Sequence, residues 1–199
     1  MDGRHPILDS NIYVAPFVYP KDAVVKAMAV KNGVSFGKIS LADFVMHKAI
    51  GKKVIFITRP SIKYTKELKE KVLVNGVSFT GSFDDGEWLG FEGNDAEFII
   101  DFEDTLKINK VSINFHNKVN SRIHHPTEVI VLGSTDGKSY SRIGGRMLRK
   151  TGRQILNVSI EVNENCSFLK VIAKNQIIPD DFNGAGNPAW IFLDEVEVH

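Results

Sequence analysis

Residues 79–95 hold the densest chemistry in this 199-residue chain: Gly81, Gly86, Gly90 and Gly93 alternate with Asp84, Asp85 and Asp95 and with Phe83, Trp88 and Phe91. Gly and Asp take tight, positive-φ turns that converge backbone carbonyls on one point. Aromatic rings add flat apolar faces beside those polar groups. A loop of this composition, running into the β-type residues 97–102, suits a surface that holds an ion or a polar ligand.

Two further loops carry polar and aromatic groups. The first has Arg122, His124, His125 and Pro126; the second has Phe182, Asn183 and Asn187. Rings for stacking on C–H faces, with Arg, His and Asn for hydroxyls, are what a sugar needs. Pro126 forces His125 extended, so His124 and His125 are expected to diverge rather than chelate one metal. Ordinary loop packing is the competing reading for each of these residues. His5, His47, His116 and His199 show no metal spacing, and surface or half-buried positions are expected for them. Arg142, Arg146, Arg149, Lys150 and Arg153 concentrate positive charge in one segment. A solvated loop is the plain expectation there, an acidic glycan or acidic domain the alternative. The stacking aromatics that would interleave such charges in a nucleic-acid site are missing.

Asp194 and Glu195 are adjacent, but on a strand successive side chains point to opposite faces. They are not expected to act as a catalytic pair, and no catalytic residue is assigned. Cys166 is the only cysteine, which excludes an internal disulfide and Cys-rich zinc sites; it is expected to be a small, half-buried apolar residue. A net charge of +1 gives no global pull toward nucleic acid or membrane. No apolar run is long enough for a membrane-spanning helix, and no signal peptide opens the sequence.

The elements that must position these residues read as β throughout. Residues 111–115 and 156–162 alternate apolar and polar, so each strand should bury one face and wet the other. Residues 128–132 form a continuous apolar run, expected of a strand covered on both sides. Residues 168–173 and 190–198 complete the set. Asn-Gly or Asp-Gly pairs at 32–33, 75–76, 85–86, 136–137 and 183–184 mark turns. This spacing predicts an all-β sandwich. Two units are expected: residues 1–50, with strands at 23–30 and 44–47 about the Asn32-Gly33 turn, and residues 51–199, long enough for a jelly roll. Residues 48–53 read as a polar hinge, residues 66–71 as a solvated loop with one helical turn as the alternative, and Trp88 as core at the sandwich end.

In the second unit Pro60, Ser61 and Tyr64, then the Asn75-Gly76 turn, residues 86–91, residues 131–140 and residues 169–175 follow in an order that resembles a discoidin-type (coagulation factor 5/8 type C) module. Residues 184–198 are similar to the C-terminal module of bacterial β-hexosaminidases (chitobiases) of glycoside hydrolase family 20. Residues 2–6, 13–17, 25–29 and 44–49 resemble the small β domain that precedes it there.

The resemblance implies a truncated Ig/Fn3-like β-sandwich followed by a galactose-binding-like jelly roll. The chain is then expected to begin inside the first domain. It implies a non-catalytic accessory module that binds glycan or braces the catalytic domain of the same polypeptide, with the parent protein secreted, periplasmic or on the cell surface. The competing expectation is a structural or protein-interaction module without carbohydrate affinity. No nucleic acid and no membrane insertion are expected. The resemblance also implies a structural Ca²⁺ near Asn75, Ser82 and Glu195, with Asn75 supplying a neutral oxygen where the family prefers a carboxylate. Finally, it implies carbohydrate contacts from Arg122, His124, His125, Phe182, Asn183 and Asn187, although Phe182 and Asn183 stand where the family has a Trp-His pair.

Overall fold

The computed structural model describes residues 4–17, 21–64, 69–77, 82–84 and 86–199. Parts of the segment at 79–95 (79–81 and Asp85) and of the charged cluster (66–68) lie outside the described residues.

Strands β1 (Ala23–Lys31) and β2 (Val34–Phe44) form an antiparallel hairpin. Its Asn32-Gly33 turn has φ of 53° and 74°, the pair of positive values that matches the right-handed twist of the flanking strands. The second strand ends, rather than begins, near residue 44. From Arg4 to Lys48 no described residue is buried as a whole, although the His47 side chain is; Ala49 is the first buried residue. Of the small domain expected at 1–50, the described residues therefore show a strand pair without a core of its own.

The rest is a two-layer sandwich built from β3 (Lys53–Phe56), β4 (Leu89–Glu92), β5 (Ala96–His116), β6 (Glu128–Ser134), β7 (Ser141–Met147), β8 (Ile155–Lys174) and β9 (Trp190–Val198). Two of these serve both layers. Residues 98–101 of β5 pair with β3, whereas residues 111–116 pair with β9. The second half of β8 pairs with β6 while its first half stays with β5. The corner lies where the β5–β8 register breaks between Asp101 and Leu106. There Glu103 sits at φ 68° and its amide donates to Asp101. One layer thus runs β3-β5-β8-β6-β7 and the other β4-β9-β5-β8. All-β character and the galactose-binding-like jelly roll are as the sequence predicted.

The core between the layers holds Phe91, Phe98, Phe102, Phe115, Val131 and Leu193, all fully buried. Each such Phe is worth about 3–5 kcal/mol against truncation to Ala. A second cluster of Trp88, Ile123 and Phe192, backed by Tyr64 and Phe83, lies on the opposite face of β9. It covers the face that simple alternation would wet. Ser112 and Asn114 of β5 are buried too, and they satisfy themselves across the ladder: Ser112 pairs with Ser159 at 2.9 Å and Asn114 accepts from Asn157 at 2.8 Å. Residues 128–132 instead alternate between buried and half-buried. Lys69–Val74 is a short 3-10 helix, not a loop, and buries Val72, Leu73 and Val74.

Candidate functional site

Strand directions place the loops 57–64, 93–95, 117–127, 148–154 and 175–189 at one end of the sandwich. Three of them enclose a cleft of about 200 Å³. Its floor is set by residues 122–124. Arg122 takes a left-handed φ of 60°, and Ile123 then bridges Trp190 in parallel, with the His124 amide donating to the Trp190 carbonyl at 3.0 Å. This graft onto the start of β9 fixes both imidazoles. The His125 carbonyl accepts from Gln176 at 2.8 Å, which ties the floor to the loop carrying Phe182. Phe182 stands edge-on to His124 with ring centres 5.5 Å apart.

His124 and His125 are only 6% and 7% exposed, yet Nε2 of each has no hydrogen-bond partner. Burial pushes the His125 imidazole down to about 4, helped by the neighbouring His116 and His124 and opposed by its hydrogen bond to the Phe115 carbonyl. Burial and the Lys150 charge lower His124 as well. His125 is therefore neutral at pH 7. Its one proton is committed to Phe115, so Nε2 is an unpartnered acceptor, buried just behind the cleft lining. A buried polar atom without a partner costs on the order of 1–3 kcal/mol. A hydroxyl donor entering the cleft would recover that cost.

The structure brings three of the expected sugar contacts, His124, His125 and Phe182, into one lining. The other three stand aside. The Arg122 side chain packs along Gly184, close enough that a Cβ there would lie 2.9 Å from Nε. Asn187 is exposed and donates to the carbonyls of Gly184 and Ala185, bracing its own turn, and Asn183 is exposed beside it. Asn117, Thr127, Arg149, Lys150 and Gln176 are polar members of the same lining, which also includes apolar Val119, Leu148 and Pro179. The basic run at 142–153 was visible in sequence, but not that a strand-end loop carries it to these histidines.

The opposite end of the sandwich holds the residues expected to bind a cation. In β9 the register slips by one residue between Leu193 and Val196, a bulge that re-aims Asp194 and Glu195. Glu195, fully buried, accepts from His47 Nε2 at 2.7 Å and from the Asn75 amide at 3.2 Å. Burial raises its carboxyl, while His47 and the backbone amides of Gly76 and Asn75 hold it down. The Ala49 amide donates to His47 Nδ1 at 3.3 Å, which leaves the ring proton on Nε2, facing Glu195. Asn75 is likewise committed, accepting from the Val77 amide and donating to Glu87, both at 2.8 Å. Ser82 is exposed and donates to Asp84.

These residues do not fit Ca²⁺. The ion needs converging oxygens, but N–H donors surround Glu195, and no group of three or more metal-ligating side chains occurs among the described residues. The expected hinge is also anchored here: Lys48 N donates to Val198 O at 2.8 Å and Gly51 N to Val74 O at 2.8 Å. Of the histidines expected at surface or half-buried positions, His5 is exposed and His199 half-buried, but two are not. The His47 side chain and His116 are both fully buried.

No family model and no curated protein matches the sequence. Solved structures do match. A Streptococcus pneumoniae fucose binding module, SpX-3, aligns with 14% identity and a TM-score of 0.50, covering 78% of this chain and 98% of its own. The lectin domain of lectinolysin, complexed with Lewis B antigen, aligns with 17% identity and a TM-score of 0.51, covering 77% and 96%. A fucolectin from striped bass (Morone saxatilis) serum aligns with 16% identity and a TM-score of 0.53, covering 77% of this chain and 48% of that one. At such identities the likeness is one of fold: the sandwich with its loop-bearing end is shared architecture.

Proposed function

We propose that this chain is a non-catalytic carbohydrate-binding module whose end-face cleft holds a sugar. One observation carries the reading: two imidazoles, each with a buried nitrogen that has no partner, lie in the lining of a cleft that also holds Phe182 and several polar side chains. A sugar supplies both complements, hydroxyl protons for Nε2 and a C–H face for the ring. The fold neighbours support it, since they include modules described as binding fucose, Lewis B antigen and chitosan. Two-carboxylate glycoside hydrolysis is disfavoured in this cleft, whose described lining has no Asp or Glu.

The finer reading is an accessory module of a larger exported glycosidase of the β-hexosaminidase type, with units 1–50 and 51–199. It rests on the resemblance of residues 184–198. Bracing of a neighbouring catalytic domain is supported by the hairpin, where Val34 and Phe36 are 66% and 65% exposed. Isothermal titration calorimetry against fucose, galactose, N-acetylglucosamine and their oligosaccharides tests the carbohydrate reading. Saturable heat from at least one is expected, and it should vanish in His125→Leu. Flat isotherms throughout, for neutral and acidic sugars alike, would leave only the bracing role. A parent gene lacking an upstream (β/α)₈ barrel would remove the hexosaminidase assignment.

A further inference from the structure

Charge around the cleft is one-sided. Arg149 and Lys150 line it, and both side chains are exposed with no hydrogen bond or ion pair among the described residues. Some cations elsewhere on the sandwich are paired. Arg142 pairs with Glu128 at 2.8 Å, Lys174 with Asp95 at 2.7 Å, and Lys170 with Glu97. Arg146 and Arg153 flank the same segment, also exposed. The facing acids are Asp180 and Asp181, exposed on the opposite loop beside Phe182 but outside the lining. The Lys150 charge reaches the floor strongly enough to disfavour protonation of His124. The two kinds of group therefore divide the work. The neutral His125 imidazole offers an acceptor for a hydroxyl, and the fixed cations remain available for an anion.

Resting on the carbohydrate reading above, we propose that the cleft selects an acidic saccharide, a sugar ring bearing a carboxylate or sulfate that Arg149 and Lys150 hold while a hydroxyl donates to His125 Nε2. Arg presents a planar fork that matches carboxylate or sulfate oxygens in pairs, and Lys adds a mobile point charge. No neutral hexose gives either cation a charged partner.

The test is calorimetry at low ionic strength with matched ligands: glucuronic and galacturonic acid oligosaccharides, 6-sulfated N-acetylglucosamine and galactose, their neutral parents, and sodium sulfate alone. An acidic ligand is expected to bind about tenfold or more tighter than its neutral parent, the advantage shrinking several-fold at about 0.5 M salt. The carboxylate and sulfate arms decide between the two anions. Arg149→Ala with Lys150→Ala, both exposed and without folded partners, should bring the acidic ligand down to the affinity of its parent. Equal affinity for acid and parent would overturn the inference while leaving the carbohydrate reading in place. Binding of inorganic sulfate as tightly as the sulfated sugar would also overturn it, since the site would then be a bare anion site. Absence of heat from every sugar, acidic or neutral, would overturn both.

Discussion

The two ends of this sandwich bury the same kinds of group and treat them oppositely. At the end opposite the loops, the strap end where residues 47–51 are tied down, a buried carboxylate, Glu195, meets the ring proton of His47 and two backbone amides. At the loop end two buried imidazoles keep an unpartnered nitrogen each. Folding accounts for the first arrangement, because Glu195, His47 and Asn75 find their hydrogen-bond partners within the chain. It does not account for the second, where a cost of about 1–3 kcal/mol per atom is left standing. Unmatched burial is how a site made for something outside the chain differs from a site made to hold the chain together.

That contrast can be broken from either side. The largest effect is expected from His47→Ala, which strands Glu195 without its nearest partner. Loss of one member of a buried pair costs about 3 kcal/mol or more, read as a lowered urea midpoint at unchanged slope. His125→Leu should behave in the reverse way: stability within about 1 kcal/mol of the parent, since the lost bond to Phe115 offsets the removed orphan, but no saccharide binding. A pH series sharpens this. The folded His125 titrates near 4 against 6.5 when unfolded, so between those values the unfolded chain binds the extra proton. Stability from this group is complete above pH 6.5 and is lost as pH falls toward 4. The difference in melting temperature between parent and His125→Leu should therefore change across that window and stay level above it. Smallest is the response to Ca²⁺. Addition of about 1 mM, or of a chelator, should move the melting temperature by less than about 1 °C, since ligand-linked stabilisation needs a site that binds.

The sandwich was readable because alternation and turn dipeptides are local signals. Residues 32–33 turn where an Asn-Gly pair should, and Trp88 is core. Alternation mispredicted the polar face of β5: Ser112 and Asn114 are buried although their strand reads as half-wet, because whether a face is covered depends on segments distant in sequence, as where Tyr64, Phe83 and Trp88 pack on Phe192. At the cleft, His124, His125 and Phe182 were legible from residue type alone. Arg122 was not excluded in advance, because its left-handed backbone turns the side chain onto Gly184. The His47–Glu195 pair lies 148 positions apart in sequence and depends on a one-residue bulge, which no local pattern announces.

The central claim is that the loop-end nitrogens are waiting for a partner and the strap-end ones are not. Histidine side-chain ¹⁵N–¹H correlation spectra, recorded while the ¹⁵N-labelled protein is saturated with a bound saccharide, test it directly. The account predicts that Nε2 of His125 moves as it accepts a hydroxyl proton, with His124 following, while Nε2 of His47 stays in place. Saturable binding that leaves both cleft nitrogens unmoved would contradict it.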